Sequence, residues 1–131
     1  MPATHRIDNE SKVLITAWEG HAEDTELFEV VKKYQDDIQL SPEYIDYNEV
    51  ADFRTVESIK VTPTGLKQVG EMGKIADKFK PESKLAIVVS SNIAFNIARM
   101  YASLRNAMNN NKEIRIFKDF DAAFEWASLK D

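Results

Sequence analysis

The sequence predicts an α/β domain in which a mainly parallel five-stranded sheet is wound with helices. Three observations lead there. Leu85–Val89 is an unbroken apolar run in which Ile87, Val88 and Val89 are β-branched. A run with no polar break is apolar on both faces, as in the interior strands of parallel sheets covered by helices. Ser90-Ser91-Asn92 then stops the run with cap-forming residues, and the period changes. Ile93, Ile97, Met100, Tyr101, Leu104 and Met108 recur at helical spacing, with Arg99, Ser103 and Arg105 among the residues facing elsewhere. Finally, Glu113–Lys118 alternates, with Ile114 and Ile116 on one face. Strand, helix and strand joined by short polar turns form a βαβ unit, whose crossover is right-handed in nearly all cases.

The remaining elements follow in order. His5–Asn9 reads as a short strand and Lys12–Trp18 as a stronger one, joined by the turn Asn9-Glu10-Ser11. The two form a hairpin, so the first strand runs antiparallel to the rest. Gly20 is expected to break the second strand and Asp24 to cap a helix whose face is Leu27, Val30, Val31, Tyr34 and Ile38. Ser41-Pro42 interrupts. Tyr44–Phe53 reads as an edge strand, because Asp46, Asn48 and Glu49 are poor strand formers. Arg54–Val61 reads as a connector. Thr62-Pro63 starts a helix, with an N-capping hydroxyl followed by Pro at the first helical position. Its stripe is Leu66, Val69, Met72, Gly73, Ala76 and Phe79, and Gly70 and Gly73 suggest close approach of its backbone to the sheet. Pro81 closes it. Asn109-Asn110-Asn111 ends the long helix, since Asn tolerates the left-handed conformation. Asp119 caps a last helix with Phe120, Ala123, Phe124 and Ala127 on one face. The predicted order is β-β-α-β-α-β-α-β-α, in one domain over residues 1–131.

Composition narrows the function classes. The formal net charge of −5 is mixed in sign with no basic stripe, which argues against nucleic-acid binding. The chain has no cysteine, so disulfides, thiolate catalysis and thiolate metal sites are excluded. No apolar run approaches the ~20 residues that cross a bilayer, and the polar start carries no signal region. The expectation is a cytoplasmic protein without a cofactor or a transmembrane segment.

Asp52-Phe53-Arg54 after the third strand, LAIVVSS (85–91) followed by ARMY (98–101), and IFKDFDAAFEWA (116–127) resemble the SpoIIAA-like family, small stand-alone domains with the STAS-like fold. The resemblance covers nearly the whole chain. It implies four parallel strands wound with helices plus an antiparallel first strand, and a role in binding rather than catalysis. The wider fold group includes anti-sigma-factor antagonists, cytoplasmic domains of anion transporters and the core of CRAL-TRIO lipid-transfer domains. The antagonists carry a phosphorylated Ser in an Asp-Ser-(Ser/Thr)-Gly turn. Val61-Thr62-Pro63-Thr64-Gly65 stands in that region here, without the Asp-Ser pair.

Ligands of open parallel sheets bind at the C-terminal ends of the strands. That rim is expected to gather Gly20, His21, Asp52, Arg54, Ser90, Ser91, Asn92, Lys118 and Asp119, with His5 approaching from the hairpin. Asp52, Arg54, Ser90, Ser91, Asn92 and Arg99 are the candidate ligand or partner residues. The N-terminus of the long helix and Arg99 favour an anionic group there. For each, an ordinary structural role competes: capping for Ser90-Ser91-Asn92, an Asp52–Arg54 pair, a solvated Arg99. Trp18, Tyr44, Tyr47 and Phe53 form either core or an aromatic patch, and Phe95 is placed to cover the rim. The expected function is a binding module that recognises a partner protein, a second copy of the chain included, or a small anionic or lipid-like apolar ligand. The alternative is a small hydrolase in which His21 or His5 works with Ser90 or Ser91. It lacks the glycines of a nucleophile elbow. Two histidines and no cysteine give no metal-ligand spacing, so no metal and no catalytic residue is assigned.

Overall fold

The computed structural model describes residues 3–108 and 112–128. The elements run β1 (Ala3–Asp8), β2 (Val13–Glu23), α1 (Asp24–Tyr34) continued by a π-helical turn (Gln35–Gln39), β3 (Asn48–Lys60), α2 (Pro63–Asp77), β4 (Ser83–Val88), α3 (Asn92–Ala107), β5 (Lys112–Phe117) and α4 (Phe120–Ser128). This is the predicted order. The predicted helix stop at Asn109-Asn110-Asn111 lies outside the described residues. The sheet order is β1-β2-β3-β4-β5, with β1 antiparallel to β2 and all other pairs parallel.

A parallel sheet whose order never reverses, linked by right-handed crossovers, must put every connecting helix on the same face. Here α1, α2 and α3 share one face. Leu27, Val69 and Trp18 pack there with Val30, Val31 and Tyr101, and Ile87 and Val89 pack there against Ala94 and Ala98. The last helix, α4, is the one described element on the opposite face, laying Ala123 and Ala127 on Val13, Ile15, Val50, Ala86 and Val88. The run at Leu85–Val89 is therefore covered on both sides, and β4 has a neighbour on each edge.

Several expectations need correction. Gly20 does not end β2. It takes a positive φ of 71°, which glycine adopts without strain, and the strand continues to Glu23. The segment Arg54–Val61 is not a connector, because β3 runs on through Lys60, paired with β2 alone. Asn48, not Tyr44, begins that strand, and it is not an edge strand but the middle strand of the sheet, paired with β2 and, over its first half, with β4. Asp24 is not the cap of α1. That position belongs to Glu23, whose side chain makes no capping bond, and Asp24 reaches across to α2 instead. The β2–β3 ribbon carries two register shifts, between Ala17 and Glu19 and between Gly20 and His21, each leaving an extra residue on β3. Such bulges bend and twist a strand.

The buried face of α3 also differs from the apolar stripe read off the sequence. Ile93 is 66% exposed and Met100 48%, whereas Ala94, Ala98 and Arg105 are buried. The alanines let the helix lie close to the sheet, and Arg105 finds partners that offset its charge. Gly73 makes room for it: a Cβ there would fall 2.1 Å from the Arg105 guanidinium. The close approach that the glycines of α2 permit is thus to α3, not to the sheet.

Thr62 caps α2 by accepting a hydrogen bond from the Gly65 N–H at 3.1 Å. Its own N–H and hydroxyl both donate to the Asp24 carboxylate, which ties the start of α1 to the start of α2. Thr62→Ala should lower stability by about 1 kcal/mol, the usual worth of an N-cap. A denaturant titration with an unchanged midpoint would remove Thr62 from this role.

Candidate functional site

The rim residues predicted from sequence are placed as follows. Asp52 and Arg54 pair with each other: Arg54 Nε donates to Asp52 Oδ1 at 3.0 Å and Nη2 to Oδ2 at 2.8 Å. The Arg54 guanidinium also lies 4.7 Å over the Phe120 ring. The Ser90 hydroxyl donates to the Arg54 carbonyl at 3.2 Å, so these three residues form one cluster. Ser91 caps α3 by accepting from the Ala94 N–H at 3.1 Å, and Asn92 is exposed at the first helical position. Arg99 is exposed and sits 5.8 Å from the Phe95 ring, which Lys118 also approaches at 5.7 Å. His21 bonds Ser58 at 2.6 Å and lies 3.7 Å from Glu57, both on β3. The hydrogen bonds of His21, Asp52, Ser90 and Ser91 thus run to other partners, not into a Ser-His-Asp relay. Among the described residues no group of three or more His, Asp or Glu is placed to hold a metal ion.

There is a topological reason to look elsewhere. Ligand crevices at the strand ends of open α/β sheets open where the strand order reverses and neighbouring connections diverge to opposite faces. This order has no reversal among its parallel strands.

A cavity lies instead between the sheet and the α1–α2–α3 layer, with a volume of about 160 Å³. Most of its wall is apolar: Trp18, Leu27, Phe53, Val69, Ile87 and Ala98 are representative. Trp18 stacks on Phe53 at 5.4 Å, so two of the four aromatics considered as a surface patch line this interior space. Side chains at inward positions of β2 and β3 supply one wall, and small residues of α2 and α3, Gly73, Ala94 and Ala98, leave the space.

The cavity has one polar region, set near the N-terminal ends of the parallel strands. Glu49 at the start of β3 and Lys112 at the start of β5 form a buried ion pair there. Glu49 Oε1 also accepts from the Tyr34 hydroxyl at 2.7 Å and from Gln39 Nε2 at 2.8 Å. Burial pushes the Glu49 pKa up, but Lys112, Lys80 and the Tyr34 hydrogen bond outweigh it and hold the carboxyl below its usual range. Burial together with Glu49 raises the Tyr34 hydroxyl well above the usual phenol range, so it stays protonated. His5 shares Nδ1 with the Thr16 hydroxyl at 2.9 Å and stacks on Tyr34 at 5.1 Å. Burial lowers its pKa and favours the neutral ring. Arg105, 2% exposed, donates to the Tyr101 hydroxyl at 3.0 Å and to Asp77 at 2.8 Å. Burial opposes its charge, and Tyr101 and Asp77 more than compensate. The π-helical turn widens the end of α1 and carries both Gln35 and Gln39 into this region, and such turns recur at functional sites.

Sequence reasoning missed this polar group. A usable signal was present: Lys112 shares the inward register of Ile114 and Ile116, and Glu49 that of Ala51 and Phe53. A charged residue on an apolar face is either an error of register or a buried pair.

The architecture defines a small α/β domain with a SpoIIAA-like fold. No protein-family model matches the chain, and no curated protein matches it. Among solved structures it is similar to an uncharacterized protein of the DUF3478 family with a SpoIIAA-like fold from Shewanella loihica PV-4. The identity is 12% and the TM-score 0.56, over 95% of this chain and 91% of that one. No helix among the described residues is long and apolar enough to cross a membrane.

Proposed function

We propose that the protein is a non-enzymatic binding module for a small, mainly apolar ligand, taken into the cavity between the sheet and the α1–α2–α3 layer. The observation that carries this reading is the cavity itself, in an otherwise well-covered fold. At about 160 Å³ it matches the scale of an apolar cavity of about 150 Å³ that binds benzene. The size also selects the ligand. A space of that scale suits one ring or a short branched chain.

Ala98 lines the cavity with a minimal side chain. Ala98→Leu should place a larger side chain in that space, at a cost of about 1–3 kcal/mol because Ala98 also packs on the sheet. It should also abolish uptake of toluene measured by calorimetry. Protein purified from its own host and extracted with organic solvent should release a small apolar compound, and the Ala98→Leu variant should release none. Identical extracts from the two proteins would defeat the proposal. The hydrolase alternative has no observation of this kind in its favour.

A further inference from the structure

The outer edge of β5 has no strand partner among the described residues, since β5 bonds to β4 alone. The Phe117 carbonyl accepts from the Val89 N–H at 2.9 Å, so the backbone groups of Phe117 point toward β4. Backbone groups alternate sides along a strand, which turns those of Ile114 and Ile116 outward. An open row of this kind is a template for a further strand. Ile114 and Ile116 are only half-buried. On the other face of the strand stand Glu113 and Arg115, with side chains 53% and 57% exposed and 3.2 Å apart. Arg115 also lies 5.0 Å from the Trp126 ring of α4.

We propose that this edge joins a second copy of the chain, β5 against β5, antiparallel and centred on Ile114. The charges of the strand select that occupant and that register. A twofold axis perpendicular to the sheet keeps like faces together, so the pairing must centre on a single residue. Centring on Ile114 aligns residues 112–116 of both copies, and centring on Arg115 aligns 113–117; any other centre overlaps less of the strand. The Arg115 register sets Arg115 opposite Arg115. The Ile114 register sets Glu113 opposite Arg115 of the second copy, twice. Opposite charges facing across a strand pair stabilise it and like charges destabilise it. In the same register Ile114 meets Ile114 through its outward backbone groups. The two charge pairs then fall at the positions without backbone bonds, where Cα atoms come to about 4.5 Å and side chains are closest. Lys112 faces Ile116 on the other side of the sheet, with its charge already matched by Glu49. The edge at β1 offers no equal match, because its acid, Asp8, accepts from the Ser11 N–H in the hairpin turn. Helix α3, whose Ala94 and Ala98 share a core cluster with Ile114 and Ile116, brings the exposed Ile93 and Met100 to this end of the sheet. A pairing of one edge with itself uses up that edge in both copies, so assembly stops at the dimer.

Analytical ultracentrifugation tests this on the native chain, which should sediment as a dimer in exchange with monomer. Glu113→Arg and Arg115→Glu should each weaken the dimer on the order of tenfold or more, since each turns two attractions into two repulsions. An equimolar mixture of the two variants should associate again, because each strand then meets one of opposite sign. Hydrogen exchange of the native chain gives a reading without any variant: the Ile114 amide should exchange more slowly as protein concentration rises. A native chain that stays monomeric overturns the proposal, as do assemblies larger than a dimer. So do a dimer that both variants leave intact, a mixture that stays monomeric, and an Ile114 amide indifferent to concentration. The cavity reading stands or falls separately, on toluene uptake by the same protein.

Discussion

Lys112→Met should destabilise the protein by about 3–5 kcal/mol, the range for stranding a buried charge by removing its partner. Lys112 and Glu49 are each 5% exposed at the side chain, and the Glu49 carboxylate would keep two neutral donors while losing its strongest cation. The double variant Lys112→Met, Glu49→Met should recover most of the loss, because well-packed apolar residues often replace a buried pair at little cost. The pH dependence carries a second signature. In the native protein the Glu49 pKa lies below its ordinary value near 4.5. Its contribution is therefore complete above that ordinary value and is lost as pH falls toward the folded-state pKa. Without Lys112, burial, already the largest single influence, loses its main counterweight, and the folded pKa should move up. The single variant should then regain stability, relative to native, as the pH is lowered. Urea titrations of both proteins between neutral and acidic pH test this. A loss under about 1 kcal/mol with a parallel pH profile would show the pair to be solvated.

Ile87→Ala should cost about 2–5 kcal/mol, as for other deletions of a buried large aliphatic. Ile87 is 5% exposed on an interior strand and packs beneath Ala94 and Ala98. It also borders the cavity, so the atoms removed leave a space continuous with one already present, which cannot be closed by small shifts of α3. The cost of such deletions rises with the residual volume, which places Ile87→Ala in the upper half of that range. A denaturant midpoint shifted by less than about 1 kcal/mol would mean that α3 collapses onto the sheet and that the interior is far more pliant than the packing implies.

Periodicity and punctuation made much of the fold legible. The apolar run of β4, Thr62-Pro63 at the start of α2 and Asp119 before α4 are local signals, and local signals survive into the structure because the same atoms that produce them make the bonds. Thr62 and Asp119 both accept from helical N–H groups as their chemistry dictates. The distal half of β3 was not legible. Beyond Asp52 it pairs with β2 alone, so one edge and much of one face meet solvent and its composition resembles a loop. The orientation of α3 was misread for a related reason. Hydrophobic periodicity ranks Ile93 and Met100 above alanine, but the tightest packing against the sheet belongs to Ala94 and Ala98, and the most buried long side chain of the helix is Arg105. The candidate site was the least legible of all. A cavity is a sum of missing volume from five or more elements, and the Glu49–Lys112 pair joins residues 63 positions apart. The cavity leaves no mark on a short window of sequence, and the pair leaves only a charged residue in the inward register of each strand.

The unreversed strand order has a kinetic side. Each strand of the sheet hydrogen-bonds only to its nearest neighbours along the chain, so no strand waits for a distant segment to return and fill a slot beside it. The longest loop that must close before any two strands pair is a single connection carrying one helix. Closure entropy grows with loop length and search time with the sequence separation of contacts. A growing chain can therefore add β3 to β2, then β4, then β5, each addition completing one more crossover on the same side, and the sheet never passes through a stage with a gap in its interior. The only interior strand edge exposed at each step is the one the next strand to emerge is shaped to cover.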